Sequence, residues 1–491
     1  MPRPLRIVIV SYVDDNFGDN LIRISFQALL EVALDDHGLS SDDYEIVPMP
    51  LKSVDEDVLG TADAIFFAGG GLFGLSYLNF FEHLEHITDV AERRGIPVVF
   101  SSMGLNNMDA KEGSVDAIAK IVTKPCVKAV AVRENLRLFK ELVTDVPFEV
   151  RQVADPAVWT KYVYGMTDVV PDGTLGVNVV RGGLFVANQR QWGLTAEMTY
   201  LAGLQDHAEA AGLQAFFYTN GSLGDNNTLR YFAREHDISR DRVVLPQTTR
   251  EVVEAIASRS AVASIRMHSS IIAYSFGIPT VALEWNDKLP HFYEAIGHPE
   301  RVIPFGEWSP ERSFDALRQA GTAPESDPGY REYAMSTYEY VFGAVGEHVL
   351  AGRSGTASPR GFTAVADALV RRSRTIDEDE FDLRHKMGKA ERAYLGSFIK
   401  IRESDRKIRE YDKKLQENDK RIRSLTARVA ALTDEAAALS RQTGVLEKKV
   451  REQKRELDQR FTTRLARFVR RVLRRVAGRG KRPTGSPSST R

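Results

Sequence analysis

The chain has 491 residues, 43% of them hydrophobic, so it is too long for one hydrophobic core and too apolar to be disordered throughout. A single cysteine, Cys126, excludes an internal disulfide and fits a reducing compartment, which makes a cytoplasmic location the expectation. The net charge of −1 conceals an asymmetry, because residues 460–482 carry nine Arg, one Lys and no acid, and removing their +10 leaves −11 on the rest.

The N-terminal MPRPLRIVIVSYVDDNFGD holds a short apolar run that breaks into acids and glycine. It lacks the longer run and small-residue cleavage site of a signal peptide and reads as a first β-strand. No stretch approaches the roughly 20 apolar residues of a spanning helix, so any membrane association is expected to be peripheral.

From residue 5 to about 345, short β-branched runs alternate with amphipathic stretches of helical length, the pattern of parallel βαβ units. Strands are predicted at 5–13, 44–49, 64–68, 97–102, 129–133 and 150–154, then at 175–180, 214–218, 242–245, 261–265 and 280–284. The turn-rich VVPDGTLG near 170–176 separates the two series. The expected fold is α/β, with two Rossmann-like domains over 1–168 and 173–350 in a GT-B-like arrangement and a ligand cleft between them.

Three segments of this body carry chemistry-bearing residues. The first βα loop, NFGDN, has Gly18, where backbone can approach a ligand, and Asp19 and Asn20, which can contact a ligand or simply cap the next helix. The glycines of AGGGLFG after the third strand, Gly69, Gly70 and Gly71, offer backbone N–H groups to a phosphate or sugar, although tight strand–helix packing also accounts for them. Gly69, Gly71 and Gly74 match GxGxxG, but the loop follows the third strand, and Arg93 and Arg94 stand where a dinucleotide site needs a carboxylate. Nicotinamide binding is therefore not expected. In ASIRMHSSIIAYSFGIP a strand is predicted to end at Arg266, Met267 and His268, with Ser269 opening a helix. Cation, imidazole and helix N-terminus converge there, where parallel sheets bind ligands. No zinc-type Cys/His spacing and no P-loop occurs, so no metal or cofactor is expected.

Residues 351–385 read as connecting helices and linker. Over 386–459 a seven-residue repeat sets in: Ile401, Ile408, Leu415, Ile422, Val429, Ala436, Thr443, Val450 and Leu457 recur at one position. Leu425, Leu432, Leu439 and Leu446 lie three residues after members of that series. A repeat held in register this long predicts a coiled coil and a homo-oligomer. Over 460–482 the helix becomes basic and amphipathic, with Phe461, Leu465, Phe468, Val472 and Val476 on one face and Arg464, Arg467, Arg471 and Arg474 on another. Such a helix suits an anionic membrane surface. Its charge alone also allows a solvated end, and nucleic acid is not the expected partner. Residues 483–491 read as a disordered tail.

The ordered set NFGDN, GGGLF, SMGLNN, VRE, DPA, RMHSSIIAYSFGIP and WNDK resembles the polysaccharide pyruvyl transferase family over residues 1 to about 345. The family's Arg, aliphatic residue and His correspond to Arg266, Met267 and His268, with Ala273, Gly277 and Pro279 downstream. Its aromatic-Asp-x-Lys element appears as Trp285, Asn286, Asp287 and Lys288, with the Asp displaced by one place. The resemblance implies transfer of pyruvate from phosphoenolpyruvate to two hydroxyls of a sugar in a cell-surface glycan or its precursor, leaving a ketal. It nominates His268 and Arg266 as catalytic, and Arg133, with Arg181 and Lys288, as donor-binding cations. Two other readings share this cleft: a GT-B glycosyltransferase using a nucleotide sugar, and a noncatalytic scaffold for glycan assembly.

Overall fold

The computed structural model describes residues 3–13, 16–74, 78–105, 113–181, 194–320, 328–351, 357–373 and 379–477. The chain forms two compact units, Met1–Met387 and Gly388–Arg491.

In the first unit, β-branched runs such as LRIVIVS form strands buried on both faces, as parallel sheets require. The first sheet contains β1 (Leu5–Ser11), β2 (Tyr44–Pro50), β3 (Ala64–Phe67), β4 (Val98–Met103), β5 (Val127–Val132) and β6 (Arg151–Gln152). Its spatial order is β2-β1-β3-β4-β5-β6, all parallel. The second sheet contains β7 (Thr174–Asn178), β8 (Gln214–Tyr218), β9 (Val243–Val244), β10 (Ala261–Ser264), β11 (Thr280–Leu283) and β12 (Val302–Ile303). Its order is β12-β11-β10-β7-β8-β9, again parallel. These are two Rossmann-like domains in a GT-B-like arrangement. Among the described residues eleven of the twelve strands coincide with predicted ones; β12, a two-residue edge strand, is too short to leave a periodic trace.

Each strand order reverses direction once, between β1 and β3 and between β7 and β10. Loops leaving the strands on either side of such a point diverge to opposite faces and open a crevice at the carboxyl ends. The helix Phe17–Asp36, started by Asn16 as N-cap, follows β1 and is buried along most of its length. One apolar cluster runs from Ile9, Leu29 and Phe66 of the first domain to Tyr218, Val262 and Ile271 of the second, so the domains share a core beneath the crevice.

The stretch Pro328–Ala344 follows the second sheet in sequence and returns to the first domain. Tyr340 donates its hydroxyl to the Phe100 carbonyl at 2.8 Å, and Trp159 donates its indole N–H to the Ala334 carbonyl at 3.0 Å. Residues 328–344, within the expected 173–350 domain, are therefore held by the first sheet.

The second unit is the continuation of one helix, Asp379–Ala477. Ile422, Leu425, Val429, Leu432, Leu439, Leu446, Val450 and Leu457 are all more than half exposed on it. The side chains of Ile401, Ile408 and Leu415, like residues 478–482 and the expected tail 483–491, lie outside the described residues. Among the described residues no helix is long and apolar enough to cross a membrane.

Candidate active site

A cleft of about 300 Å³ opens where the two switch points face each other. Tyr12, Asn16 and Asp19 enter it from the loop after β1, Gly71 and Leu72 from the loop after β3, and Arg133 from the end of β5. The second domain supplies Arg181 after β7, Asn220 and Ser222 after β8, Arg266 and His268 after β10, and Trp285, Asn286 and Lys288 after β11.

The backbone of the first domain is shaped to let these groups approach. A Cβ at Gly18 would sit 2.3 Å from His268 Nδ1, so only glycine lets the start of the Phe17–Asp36 helix pack against that imidazole. Gly69 and Gly70 hold φ of +103° and +84°, a left-handed bend that turns the chain out of β3 and brings Gly71 beneath the Lys288 ammonium.

Arg133 is buried, and its guanidinium donates from Nε to Glu134 Oε2 at 2.7 Å and from Nη1 to Asp155 Oδ2 at 2.6 Å. The two carboxylates raise its pKa further against the effect of burial, so it stays charged. Asp155 Oδ1 accepts from the Ala157 N–H at 2.9 Å, and Oδ2 also lies 3.6 Å from His268 Nε2. That last distance is long for a hydrogen bond and within ion-pair reach of a protonated imidazole. Burial pushes the Asp155 carboxyl up, but the His268 imidazole and the Arg133 charge outweigh it and hold the group down at about 2. The buried carboxylate thus connects the Arg133 guanidinium of the first domain with the His268 imidazole of the second. Glu134 has the opposite balance: burial pushes its carboxyl up despite the Arg133 and Lys288 charges.

On the second domain Arg266 donates from Nε and Nη2 to Asp225 Oδ2 at 3.1 and 2.6 Å, while its backbone N–H donates to Asn178 Oδ1 at 3.0 Å. Asp225 Oδ1 accepts the Arg181 backbone N–H at 3.0 Å, so one fully buried carboxylate fixes the loops after both β7 and β10. Behind it lies Glu197, whose carboxyl is pushed up to about 8 by burial and then by the Asp225 charge. The Arg181 side chain is exposed to the cleft and reaches Ser222 Oγ at 3.5 Å, with no carboxylate partner among the described residues.

Lys288 opens a helix at Asp287, its backbone N–H donating to Asn286 Oδ1 at 3.2 Å. Burial and the Arg133 charge push its ammonium pKa down, while Glu134, Asp19 and Asp287 oppose the shift.

Seven expected residues therefore meet in one cleft: Asp19, Gly71, Arg133, Arg181, Arg266, His268 and Lys288. Gly18, Gly69 and Gly70 shape its walls, whereas Asn20 is buried and does not line it. One local reading needs correction: β10 ends at Ser264, and the helix begins at Met267, not Ser269, with Arg266 as N-cap. His268 therefore sits in the first helical turn, only 7% exposed. Asp155, Glu134 and Asp225 were not among the expected site residues. Asp155 and Glu134 stand inside the DPA and VRE segments, whereas nothing local marks Asp225.

The family profile described as polysaccharide pyruvyl transferase matches residues 15–287, more than half of the chain and a span that includes the cleft residues from Asn16 to Asn286, with Lys288 one position beyond its end. The chain belongs to the polysaccharide pyruvyl transferase family. Membership makes this pyruvyl transferase relative a polysaccharide-modifying transferase. No curated protein matches the sequence at a significant level. Similar solved structures include the UDP-GlcNAc 2-epimerase of Methanocaldococcus jannaschii, at 11% identity and a TM-score of 0.43, covering 69% of this chain and 98% of that one. The E. coli ADP-heptose LPS heptosyltransferase II aligns at 14% identity and a TM-score of 0.34, covering 64% and 98%. The Neisseria meningitidis UDP-GlcNAc 2-epimerase bound to UDP-GlcNAc aligns at 10% and 0.42, covering 70% and 100%.

Proposed function

We propose that the cleft transfers pyruvate from phosphoenolpyruvate onto two hydroxyls of a sugar in a cell-surface glycan or its precursor. The observation that carries this reading is the meeting of Arg133, Arg181, Arg266 and Lys288 around one imidazole, since the donor brings a phosphate and a carboxylate together. Family membership supports the same reaction class.

In the reaction, each of two acceptor hydroxyls forms a C–O bond to C2 of the donor and loses its proton. One proton goes to the methylene carbon, making a methyl group, and the other leaves with the phosphate as the enol C–O bond breaks. His268 is assigned to carry a proton from the first hydroxyl toward the methylene, with the Asp155 carboxylate 3.6 Å from its Nε2. Arg181 and Lys288 receive the phosphate. Arg133 and Arg266, fixed by their carboxylates, shape the field in which it departs.

The donor assay tests this directly: the purified chain is given an acceptor glycan with either phosphoenolpyruvate or a nucleotide sugar. Phosphate release with the first and a pyruvyl ketal in the product are expected. Nucleotide release with the second would instead establish a glycosyltransferase, and inertness with both a scaffold.

The heptad face supports a second element of the proposal, a homodimer formed through residues 401–457. A helix leaving Leu425, Leu432, Leu439 and Leu446 more than half exposed gains from covering them with a second copy. Leu432→Asp with Leu439→Asp should convert the dimer to monomer in light scattering, and an unchanged mass would remove the seam from the interface.

A further inference from the structure

The terminal helix changes faces at Leu457. Up to that point the heptad positions carry Ile422, Leu425, Val429, Leu432, Leu439, Leu446, Val450 and Leu457. Beyond it the same two positions are Arg460, Arg464, Arg467, Arg471 and Arg474, without a single apolar residue. From Leu457 the apolar stripe instead advances by four residues twice, to Phe461 and Leu465, which at 100° per residue carries it about 80° round the helix. It then continues through Phe468, Val472 and Leu473, with exposures between 42% and 68%.

A paired coiled coil cannot simply continue through this change. Two copies in register would bring five arginines each onto the shared seam, where like charges repel, and would turn Phe461, Leu465 and Phe468 away from it. The partner must therefore accept an apolar stripe and a flanking arginine face at once, along one helix. Nucleic acid neutralises arginine but offers little to an exposed stripe of Phe, Leu and Val. A lipid surface offers both, with acyl chains beneath and anionic headgroups beside the helix.

We propose that Arg460–Ala477 is an in-plane anchor for anionic lipid, and that the seam ends at Leu457 because the helices separate there onto the membrane. This inference does not depend on the transferred group.

The test is cosedimentation of the full chain with vesicles of phosphatidylcholine alone or of equal parts phosphatidylcholine and phosphatidylglycerol, at low and high salt. Binding is expected only to the anionic vesicles and weaker at high salt. Phe461→Ser with Phe468→Ser should weaken it by at least about ten-fold, since each ring removes apolar area from water. Arg464→Gln with Arg471→Gln should weaken it by roughly ten-fold or more through lost headgroup attraction. Equal binding to both vesicles, or to neither, overturns the proposal. So does anionic binding that is unaffected by the Phe substitutions, which would mean a polyanion site without insertion. If the Phe substitutions instead split the dimer in light scattering, a second copy covers the stripe and the lipid assignment fails.

Discussion

Arginine does two different things in the two units of this protein. In the cleft, Arg133 and Arg266 are each tied to buried carboxylates. On the terminal helix, Arg460 to Arg475 lie exposed in a stretch with no acid at all. The difference follows from solvation. A charge taken from water must be compensated inside the protein, and its geometry is then fixed, whereas an exposed charge is already solvated and stays available to an outside anion. Arg181 stands between these cases: it belongs to the cleft, yet its side chain is exposed there without a carboxylate partner among the described residues.

The sharpest break of this contrast comes from the imidazole that the buried charges surround. His268→Ala should lower phosphoenolpyruvate-dependent phosphate release by about 10² to 10⁴-fold, the usual worth of acid–base help, while far-ultraviolet dichroism stays that of the parent. Near-parental turnover would remove His268 from the chemistry and leave only a packing role against Gly18.

Asp155→Asn should show the cost of uncompensated burial, because it leaves Arg133 with one carboxylate in place of two. A loss of about 3 kcal/mol in unfolding free energy is expected at neutral pH, within the range for broken buried pairs. The acid limb gives the sign. Asp155 lies at about 2 in the folded protein against an ordinary 3.8, so its contribution is present above that ordinary value and is lost as pH falls toward 2. The variant should therefore unfold at lower denaturant at pH 7 and show a flatter stability profile between those two values. If instead the two proteins run parallel in acid, the low Asp155 value is wrong.

The smallest effect belongs to the exposed cation. Arg181→Ala should raise the KM for phosphoenolpyruvate roughly ten-fold with unfolding free energy within about 0.5 kcal/mol of the parent, since among the described residues no buried carboxylate loses its cation and the only contact given up is a long one to the Ser222 hydroxyl. A large stability loss would place Arg181 among the structural pairs and end the contrast with Arg133.

Much of this was legible in the sequence, for reasons that are local. Runs such as LRIVIVS and AIFF announce buried parallel strands because a strand covered on both faces needs apolar residues without alternation. The glycines at 18, 69 and 70 and the Arg-Met-His triplet stood out by residue type and by their place at strand ends. The heptad of the terminal helix is a purely one-dimensional signal, and so is the switch to arginine after Leu457.

Other features required the fold, because they join residues that the chain keeps far apart. Asp155 and His268 are separated by more than a hundred positions, and only the apposition of the two sheets brings their side chains to 3.6 Å. Asp225 looks like any early helical acid in GDNN, and its role emerges once β7 and β10 lie side by side, so that one carboxylate holds both following loops. The return of Pro328–Ala344 to the first sheet is likewise invisible in composition. Sequence alone marked the strands other than the short β12, the glycines that bend, and where apolar and arginine faces run along the last helix, since each depends on neighbours a few residues away. Tertiary structure alone decided which arginines are locked to carboxylates and which remains open to a ligand, because desolvation depends on what the rest of the chain packs around a charge.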